Sequence, residues 1–286
     1  MSDRTAVIYR YDGSFHGLMC AVFESYERKE TPIQICSDGA FQTMLFSVRE
    51  IETDLAKAKR VKAGVLQKMS KLGWEQIRLC FLSCHPEKEL LILRFIRMGM
   101  KLGKKACYML TDPTVAELEK AIKHLTGEAH QYKGFVRFSI YENILVSLIE
   151  PKNRVLPLLA RHFSDRYPNE TFLIYDKTHA EMLVYRPKRY QILSVEEYSL
   201  PEAETEEQFF RSLWKNYYDT IAIEGRENPR CRMGHMQKRY WNHLTEMDET
   251  LTRPVAISAL DNESENRMSD DQIPALSETK KSVDAT

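Results

Sequence analysis

The 286-residue sequence has little that would direct it to a membrane or out of the cell. No apolar run approaches the roughly 20 residues that a membrane span needs. The first residues, MSDRTAVIYRYDG, lack the apolar signal core that follows a basic region. Six cysteines are scattered along a long chain instead of framing a small one, which favours reduced thiols. We therefore expect a cytoplasmic protein that does not contact a membrane.

The sequence also lacks a recognisable catalytic motif. No serine lies in a GxSxG elbow, and the single Gly13 after the first strand matches neither GxGxxG nor a Walker loop. Cys80 and Cys84 have the spacing of one helical turn, but no second pair follows at zinc-finger spacing, so both are expected to be core residues. We expect no metal and no cofactor. Asp12, in the turn before Gly13, is the one candidate catalytic carboxylate.

The charge is balanced overall but unevenly distributed. The chain has 41 basic and 41 acidic residues, which gives a formal net charge of zero. Residues 246–286 hold ten of the acids and four of the bases, so residues 1–245 carry 31 acids and 37 bases. The part expected to fold is therefore mildly basic, which permits nucleic-acid binding without proving it.

The most prominent local feature is a cluster of cations and aromatics at residues 225–243, here called the basic arm. The arm has one acid, Glu227, and carries the aromatic residues Tyr240 and Trp241 near its end. Its five cations are Arg226, Arg230, Arg232, Lys238 and Arg239. Guanidinium groups bind phosphates and aromatic rings stack on bases, so the arm is a candidate nucleic-acid-binding site. The alternative is a solvated arm that packs on the body, with Tyr240 and Trp241 buried as anchors.

The spacing of apolar residues predicts an α+β protein with an N-terminal strand and a helical region, then a β-β-α-β-β-β module and C-terminal helices. The first strand covers residues 6–11, Ser14 caps the following helix, and residues 32–36 form a short strand. Residues 52–128 form several helices, with breaks at Gly73 and before Pro86, and with Asp112 and Pro113 starting the last helix, which ends near Gly127.

The module follows a change in period at Gly134. Strands are predicted at residues 135–141 and 144–150, a helix at 155–167, and strands at 171–175, 182–186 and 190–195. A helix at 206–223 places one apolar row on a single face, formed by Phe210, Leu213, Trp214, Tyr217 and Ile221, and a short helix covers 236–244. The predicted domains are 1–130 and 131–247, or one continuous domain 1–247, before a disordered acidic tail at 248–286.

Three groups of residues carry a resemblance to a known family. They are Tyr11-Asp12-Gly13-Ser14-Phe15 with Gly17-Leu18; Gly134-Phe135-Val136-Arg137-Phe138 with Ile149-Glu150-Pro151; and Leu213-Trp214, Asn228-Pro229-Arg230 and Lys238-Arg239-Tyr240-Trp241. In this order they resemble bacterial DNA metabolism or DNA repair proteins defined by the DUF4130 domain. The resemblance covers about residues 5–246. Gln237 departs from it, because a proline is expected before Lys238.

The resemblance implies an accessory role in DNA metabolism. Such proteins accompany a radical-SAM protein thought to act on DNA, and a similar domain occurs fused to uracil-DNA glycosylase-like domains. We therefore expect DNA and a radical-SAM protein as partners, with DNA bound by the basic arm. Two alternatives stay open: a nuclease- or glycosylase-like enzyme that uses Asp12, and a protein–protein scaffold that does not bind nucleic acid.

Overall fold

The computed structural model describes residues 7–37, 46–196, 198, 205–223, 225, 228–248 and 250–251. Arg226 and nearly all of the predicted acidic tail lie outside these residues. The described residues form two compact units: unit 1 is drawn from residues 1–202 and 236–244, and unit 2 from residues 203–235 and 245 onward. The α+β class predicted from the sequence is confirmed. The predicted domain boundary near residue 131 stays a prediction.

Unit 1 begins with a small parallel sheet. Strand β1 (Val7–Tyr11) lies between β2 (Gln34–Ser37) and β3 (Ser47–Glu50). Ser14 caps helix α1 (Phe15–Glu27) as predicted, because its Oγ accepts the N–H of Gly17 at 2.9 Å. The sequence did not indicate β3, whose four residues are mostly exposed and give no alternating apolar pattern.

Four helices follow and complete the largest core. They are α2 (Leu55–Lys68), α3 (Ser70–Leu82), α4 (Lys88–Leu102) and α5 (Pro113–Phe135), with a 3₁₀ helix at Gly103–Tyr108 before α5. The predicted break at Gly73 is wrong: the chain breaks at Met69–Ser70, and Ser70 has φ of 89°. Gly73 lies inside α3 at a point of close packing. A Cβ on Gly73 would lie 2.9 Å from Cβ of Met69 and 3.1 Å from Sγ of Cys107. Close packing, not a break, requires this glycine.

Helix α5 begins as predicted and ends later than predicted. Asp112 caps it by accepting the N–H of Thr114 at 2.8 Å. It passes through Gly127, where a Cβ would meet nothing within 4 Å, and reaches Phe135. Buried residues continue at helical spacing beyond this glycine to Tyr132, and their burial outweighs the low helix propensity of one glycine.

The second sheet confirms the predicted β-β-α-β-β-β module. Its elements are β4 (Ser139–Tyr141), β5 (Ile144–Ile149), α6 (Leu156–Arg166), β6 (Phe172–Asp176), β7 (Glu181–Arg186) and β8 (Arg189–Ser194). The strands lie in chain order; β5 and β6 are parallel across α6, and the other pairs are antiparallel. Glu142 and Asn143 both have positive φ, which closes the tight β4–β5 hairpin.

Unit 2 contains α7 (Thr205–Ile221), α8 (Pro229–His235) and a 3₁₀ turn at Thr245–Met247. Trp214 Nε1 donates to Glu246 Oε2 at 3.1 Å, which ties α7 to this turn. The predicted apolar row of α7 is largely exposed, since Phe210 and Tyr217 are 53% and 55% accessible. Among the described helices, none combines the length and the apolar character needed to cross a membrane.

Candidate nucleic-acid interface

The structure divides the basic arm between the two units. Residues up to His235 belong to unit 2, and residues 236–244 belong to unit 1. In unit 2, Arg230 is exposed and Arg232 is half-buried on the short helix α8. Arg226 lies outside the described residues. In unit 1 the arm forms a 3₁₀ helix at Lys238–His243, within the segment predicted as a short helix.

Arg239 is engaged in the fold of unit 1. Its Nη1 is 2.7 Å from Oε1 of Glu128, a carboxylate on α5 whose side chain is only 1% exposed. Its guanidinium carbon also lies 4.6 Å from the ring centroid of Tyr240. A buried carboxylate needs a cation or several donors, so this arginine neutralises a charge that the core encloses.

Tyr240 has the anchoring role that the sequence left as an alternative to base stacking. It is 2% exposed, and its hydroxyl donates to Oε1 of Gln131 at 2.6 Å. Its ring lies 5.1 Å from the rings of Tyr132 and Phe135 on α5. Burial raises the pKa of Tyr240 to about 12. The residue therefore holds the 3₁₀ helix against α5 as an uncharged, buried ring.

Lys238 and Trp241 remain accessible to a ligand to different extents. Lys238 is exposed, and its Nζ lies 5.9 Å from the ring centroid of Trp241. Trp241 is half-buried and donates from Nε1 to the carbonyl oxygen of Met236 at 3.0 Å. Of the arm residues in unit 1, Lys238 is thus the exposed cation.

Asp12 is held in the turn between β1 and α1. Its carboxylate accepts the N–H of Ser14 at 2.9 Å and the hydroxyl of Thr53 at 2.8 Å. Slight burial raises the pKa of Asp12, but the hydrogen bonds from Ser14 and Thr53 outweigh it and leave the pKa below its ordinary value. A carboxylate stabilised in its charged form is a poor proton donor. Its contacts account for a structural role in the turn.

A larger basic region, which our sequence analysis did not identify, lies in the helical part of unit 1. Residues 55–105 contain three acids, Glu75, Glu87 and Glu89. The same stretch contains thirteen bases: Lys57, Lys59, Arg60, Lys62, Lys68, Lys71, Arg78, Lys88, Arg94, Arg97, Lys101, Lys104 and Lys105. The excess is visible only over a long stretch of sequence, because the neutral total conceals it.

Several of these cations lie along one side of α2. Lys57, Arg60, Gly64 and Lys68 follow each other at spacings of three and four residues, so they share a helix face. The glycine in this row permits close approach of α4, because a Cβ on Gly64 would lie 3.2 Å from Cε of Met100. This row therefore packs against α4 at Gly64, and the guanidinium carbon of Arg60 lies 5.0 Å from the ring centroid of Phe23 on α1.

The chain after α4 brings further cations to the same place. Gly103 starts the 3₁₀ helix next to the end of α2, where a Cβ on it would lie 3.4 Å from the carbonyl oxygen of Lys68. Lys104 and Lys105 come directly after this glycine and are exposed. Lys101 is exposed in the last turn of α4.

A small cavity lies between α1 and α4 in this surface. It has a volume of about 300 Å³ and is lined by Ser25, Tyr26, Lys29, Arg97, Met100 and Lys101. Tyr26 is 44% exposed, and the guanidinium carbon of Arg97 lies 5.5 Å from its ring centroid. Arg97 is held in place by the carbonyl oxygens of Ser25 and Glu30. The cavity thus combines an accessible ring with three cationic side chains.

We call this surface of unit 1 the basic face: Lys29, Arg60, Lys68, Arg97, Lys101, Lys104 and Lys105. Glu24 binds Lys57 at 2.6 Å and Arg28 at 2.9 Å, and Glu30 binds Arg49 at 3.1 Å, so these two carboxylates are already paired. The hydrogen bond from Lys57, followed by that from Arg28, lowers the pKa of Glu24 despite its burial. Within the described part of the chain, no residue of the basic face forms an ion pair.

Comparison with known proteins identifies one domain. A family model described as a domain of unknown function, DUF4130, matches residues 86–246, which is more than half of the chain. The matched range starts just before α4 and includes the whole second sheet and the arm. The DUF4130 part of the resemblance is therefore confirmed over this range. No curated protein and no solved structure gave a significant match.

Proposed function

We propose, from the premise that the chain belongs to the DUF4130 family, that it is a cytoplasmic accessory protein of DNA metabolism that binds the phosphate backbone of DNA. The observation that supports this proposal is the basic face, seven cations brought together by α1, α2, α4 and the following 3₁₀ helix. Unpaired lysines and arginines attract a polyanion and release its counterions on binding, and this term dominates affinity that is independent of sequence.

The residues of the basic face have separable roles in this proposal. The exposed lysines contact phosphates as mobile point charges. Arg97, fixed by backbone carbonyls, supplies a preorganised planar cation, and Tyr26 offers its partly exposed ring to a base. Stacking requires an unpaired base, so Tyr26 favours single-stranded over double-stranded DNA. The basic arm has a lesser share, because Arg239 and Tyr240 already have partners on α5.

The test compares two variants of equal charge. One replaces Lys29, Arg60, Lys68 and Lys101 with glutamine; its control replaces four exposed cations elsewhere in unit 1, which are Lys123, Lys133, Arg186 and Arg189. Binding to a labelled single-stranded oligonucleotide is measured by fluorescence anisotropy near 0.1 M salt. The first variant should lose about a hundredfold or more in affinity, because each phosphate contact contributes close to tenfold at this salt. The control should bind within a few-fold of the wild type.

Equal losses in the two variants would contradict the role of the basic face, since net charge alone would then explain binding. A third variant, Lys238→Gln, measures the share of the arm. It should weaken binding by less than the change at the basic face does. Failure of the wild type to bind either single- or double-stranded DNA would contradict the proposal as a whole.

The partner in this proposal is the radical-SAM protein that the resemblance implies. The accessible apolar row of α7 supports a protein partner, because large exposed apolar side chains at helical spacing suit docking of another surface. Replacement of Phe210, Tyr217 and Ile221 with serine should abolish co-purification with that protein when the two are produced together. The matched control replaces the exposed polar Gln208, Asn216 and Thr220 of the same helix with serine. Retention of the partner by the first variant would contradict this docking surface.

A further inference from the structure

A second and larger cavity in unit 1 is lined by none of the residues of the basic face. It has a volume of about 700 Å³ and lies between the α3–α4 loop, α5 and the loop that leads to α6. Its polar lining includes Cys84, His85, Glu117, Lys120, His124 and Asn153. None of these side chains takes part in the proposed binding of nucleic acid.

The cavity exposes a thiol that the sequence led us to expect in the core. Cys80 is buried as expected, and burial raises its pKa to about 12. Cys84 instead is exposed, because α3 ends at Leu82 and the chain turns outward there. Sγ of Cys84 lies 3.8 Å from Nδ1 of His124, within hydrogen-bonding distance for sulfur. A histidine 40 residues away in the sequence thus faces this cysteine across the cavity.

The hydrogen bonds of Asn153 fix which form of His124 faces the thiol. Asn153 is fully buried; its Oδ1 accepts the N–H of Cys84 at 2.9 Å, and its Nδ2 donates to the carboxylate of Glu128. Because that carboxylate can only accept, the NH₂ group of Asn153 must lie on this side. The same NH₂ group is 3.0 Å from Nδ1 of His124, so Nδ1 carries a lone pair. His124 therefore presents a proton acceptor to Sγ.

Two lysines, Lys88 and Lys120, lie near Cys84 and His124. The half-buried ammonium of Lys88 donates to the carbonyl oxygen of Ser83, the residue before Cys84, at 3.3 Å. Burial lowers the pKa of Lys88, and the nearby acid Glu89 opposes this shift. Lys120 also lines the cavity. A cation near a sulfur stabilises the thiolate, which is the nucleophilic form of a cysteine.

The α3–α4 loop, which carries Cys84, does not favour acyl transfer. That reaction needs free N–H groups near the sulfur to stabilise an oxyanion. In this loop the N–H of Cys84 is donated to Asn153, that of His85 to Oγ of Ser83, and that of Glu87 to Nδ1 of His85. Exchange with a disulfide forms no oxyanion; it needs a thiolate, a proton acceptor and room for the incoming molecule.

We propose that Cys84 is a modification site at which a low-molecular-weight disulfide, held in this cavity, exchanges to form a mixed disulfide. The thiol proton passes to Nδ1 of His124, which gives up its hydrogen bond from Asn153. The thiolate of Cys84 then attacks one sulfur of the incoming disulfide. The S–S bond of that disulfide breaks, a new S–S bond to Cys84 forms, and the leaving thiolate takes the proton from His124. The incoming disulfide is the oxidant.

The product should stay a mixed disulfide. Cys80, the neighbour in sequence, is buried and protonated, so it does not attack the new bond. A free thiol from solution reverses the modification by the same exchange. This inference is independent of the proposed function, since it concerns thiol reactivity in the full-length protein without DNA.

The protein provides an internal control for the experiment, because Cys231 is the second exposed cysteine among the described residues. The variant Cys231→Ser keeps Cys84, and the variant Cys84→Ser keeps Cys231. The rate of reaction with 4,4′-dithiodipyridine at pH 7 is measured for each. Cys84 should react about threefold to tenfold faster than Cys231, because a proton acceptor and a cation lie near its sulfur. With glutathione disulfide, mass spectrometry should find the adduct on Cys84 and not on Cys231.

A second pair of variants isolates His124 in the Cys231→Ser background. His124→Gln should remove most of the rate advantage, whereas Lys123→Gln, at the exposed neighbouring position, should not. The count of reactive thiols checks folding, because unfolding would expose the four buried cysteines. Equal rates for Cys84 and Cys231, or an unchanged rate in folded His124→Gln, would overturn the proposal. The comparison of the two cysteines stands even if the His124 variant unfolds.

Discussion

At the scale of single residues, Lys238 and Arg239 are neighbours in the chain with different surroundings. Lys238 is exposed to solvent, and Arg239 neutralises Glu128 on α5, which lies 111 residues earlier. In the sequence both contribute equally to a cluster of cations. Local charge counting could not separate them, because the partner of Arg239 is brought to it by the fold.

This difference predicts opposite consequences for the two cations. Arg239→Ala should lower the free energy of unfolding by about 1–3 kcal/mol, because it leaves the buried Glu128 without its cation. The loss stays in this range because Glu128 keeps the N–H groups of Lys152 and Asn153 as donors. Lys238→Ala should change stability by less than about 0.5 kcal/mol. Urea denaturation of both variants measures the difference, and similar stabilities would contradict this account of Arg239.

At the scale of elements, the sequence predicted the β-β-α-β-β-β module well and the helical region less well. Strands such as β6 and β7 have buried β-branched and aromatic residues between clear turn signals. In the helical region, by contrast, the role of each glycine depends on its tertiary contacts. Gly73 is predicted to break a helix, but Gly73 and Gly64 both lie inside helices where a neighbouring segment approaches closely. Such contacts are not visible in a local pattern.

Two glycines on different helices test this view of the helical region. A Cβ on Gly99 in α4 would lie 2.2 Å from Sδ of the fully buried Met69, so Gly99→Ala should destabilise the protein by about 1–3 kcal/mol. Gly127 in α5 has nothing within 4 Å of such a Cβ, so Gly127→Ala should stabilise it by about 0.5–1 kcal/mol. Chemical denaturation gives both values. A stabilising Gly99→Ala change would contradict the packing of α4 against Met69.

At the scale of the whole molecule, neutrality conceals two opposed charge distributions. Residues 55–105 carry thirteen bases against three acids, and residues 246–286 carry an excess of acids. The arm is prominent in the sequence because its cations and aromatics are close together along the chain, whereas the cations of the basic face come from several elements. Lys29, Lys68 and Lys101 are far apart in sequence, and only the packing of α1, α2 and α4 brings them to one surface.

The proposed function requires that this surface, and not charge in general, binds nucleic acid. The most direct measurement is the slope of log affinity against log salt for single-stranded DNA, in the wild type and in the variant with glutamine at Lys29, Arg60, Lys68 and Lys101. The slope is negative, and each lost phosphate contact reduces its magnitude by about 0.7. The slope of the variant should therefore be smaller in magnitude by about 2 to 3. The variant with glutamine at Lys123, Lys133, Arg186 and Arg189 should keep the slope of the wild type. Identical slopes in all three proteins would contradict the claim.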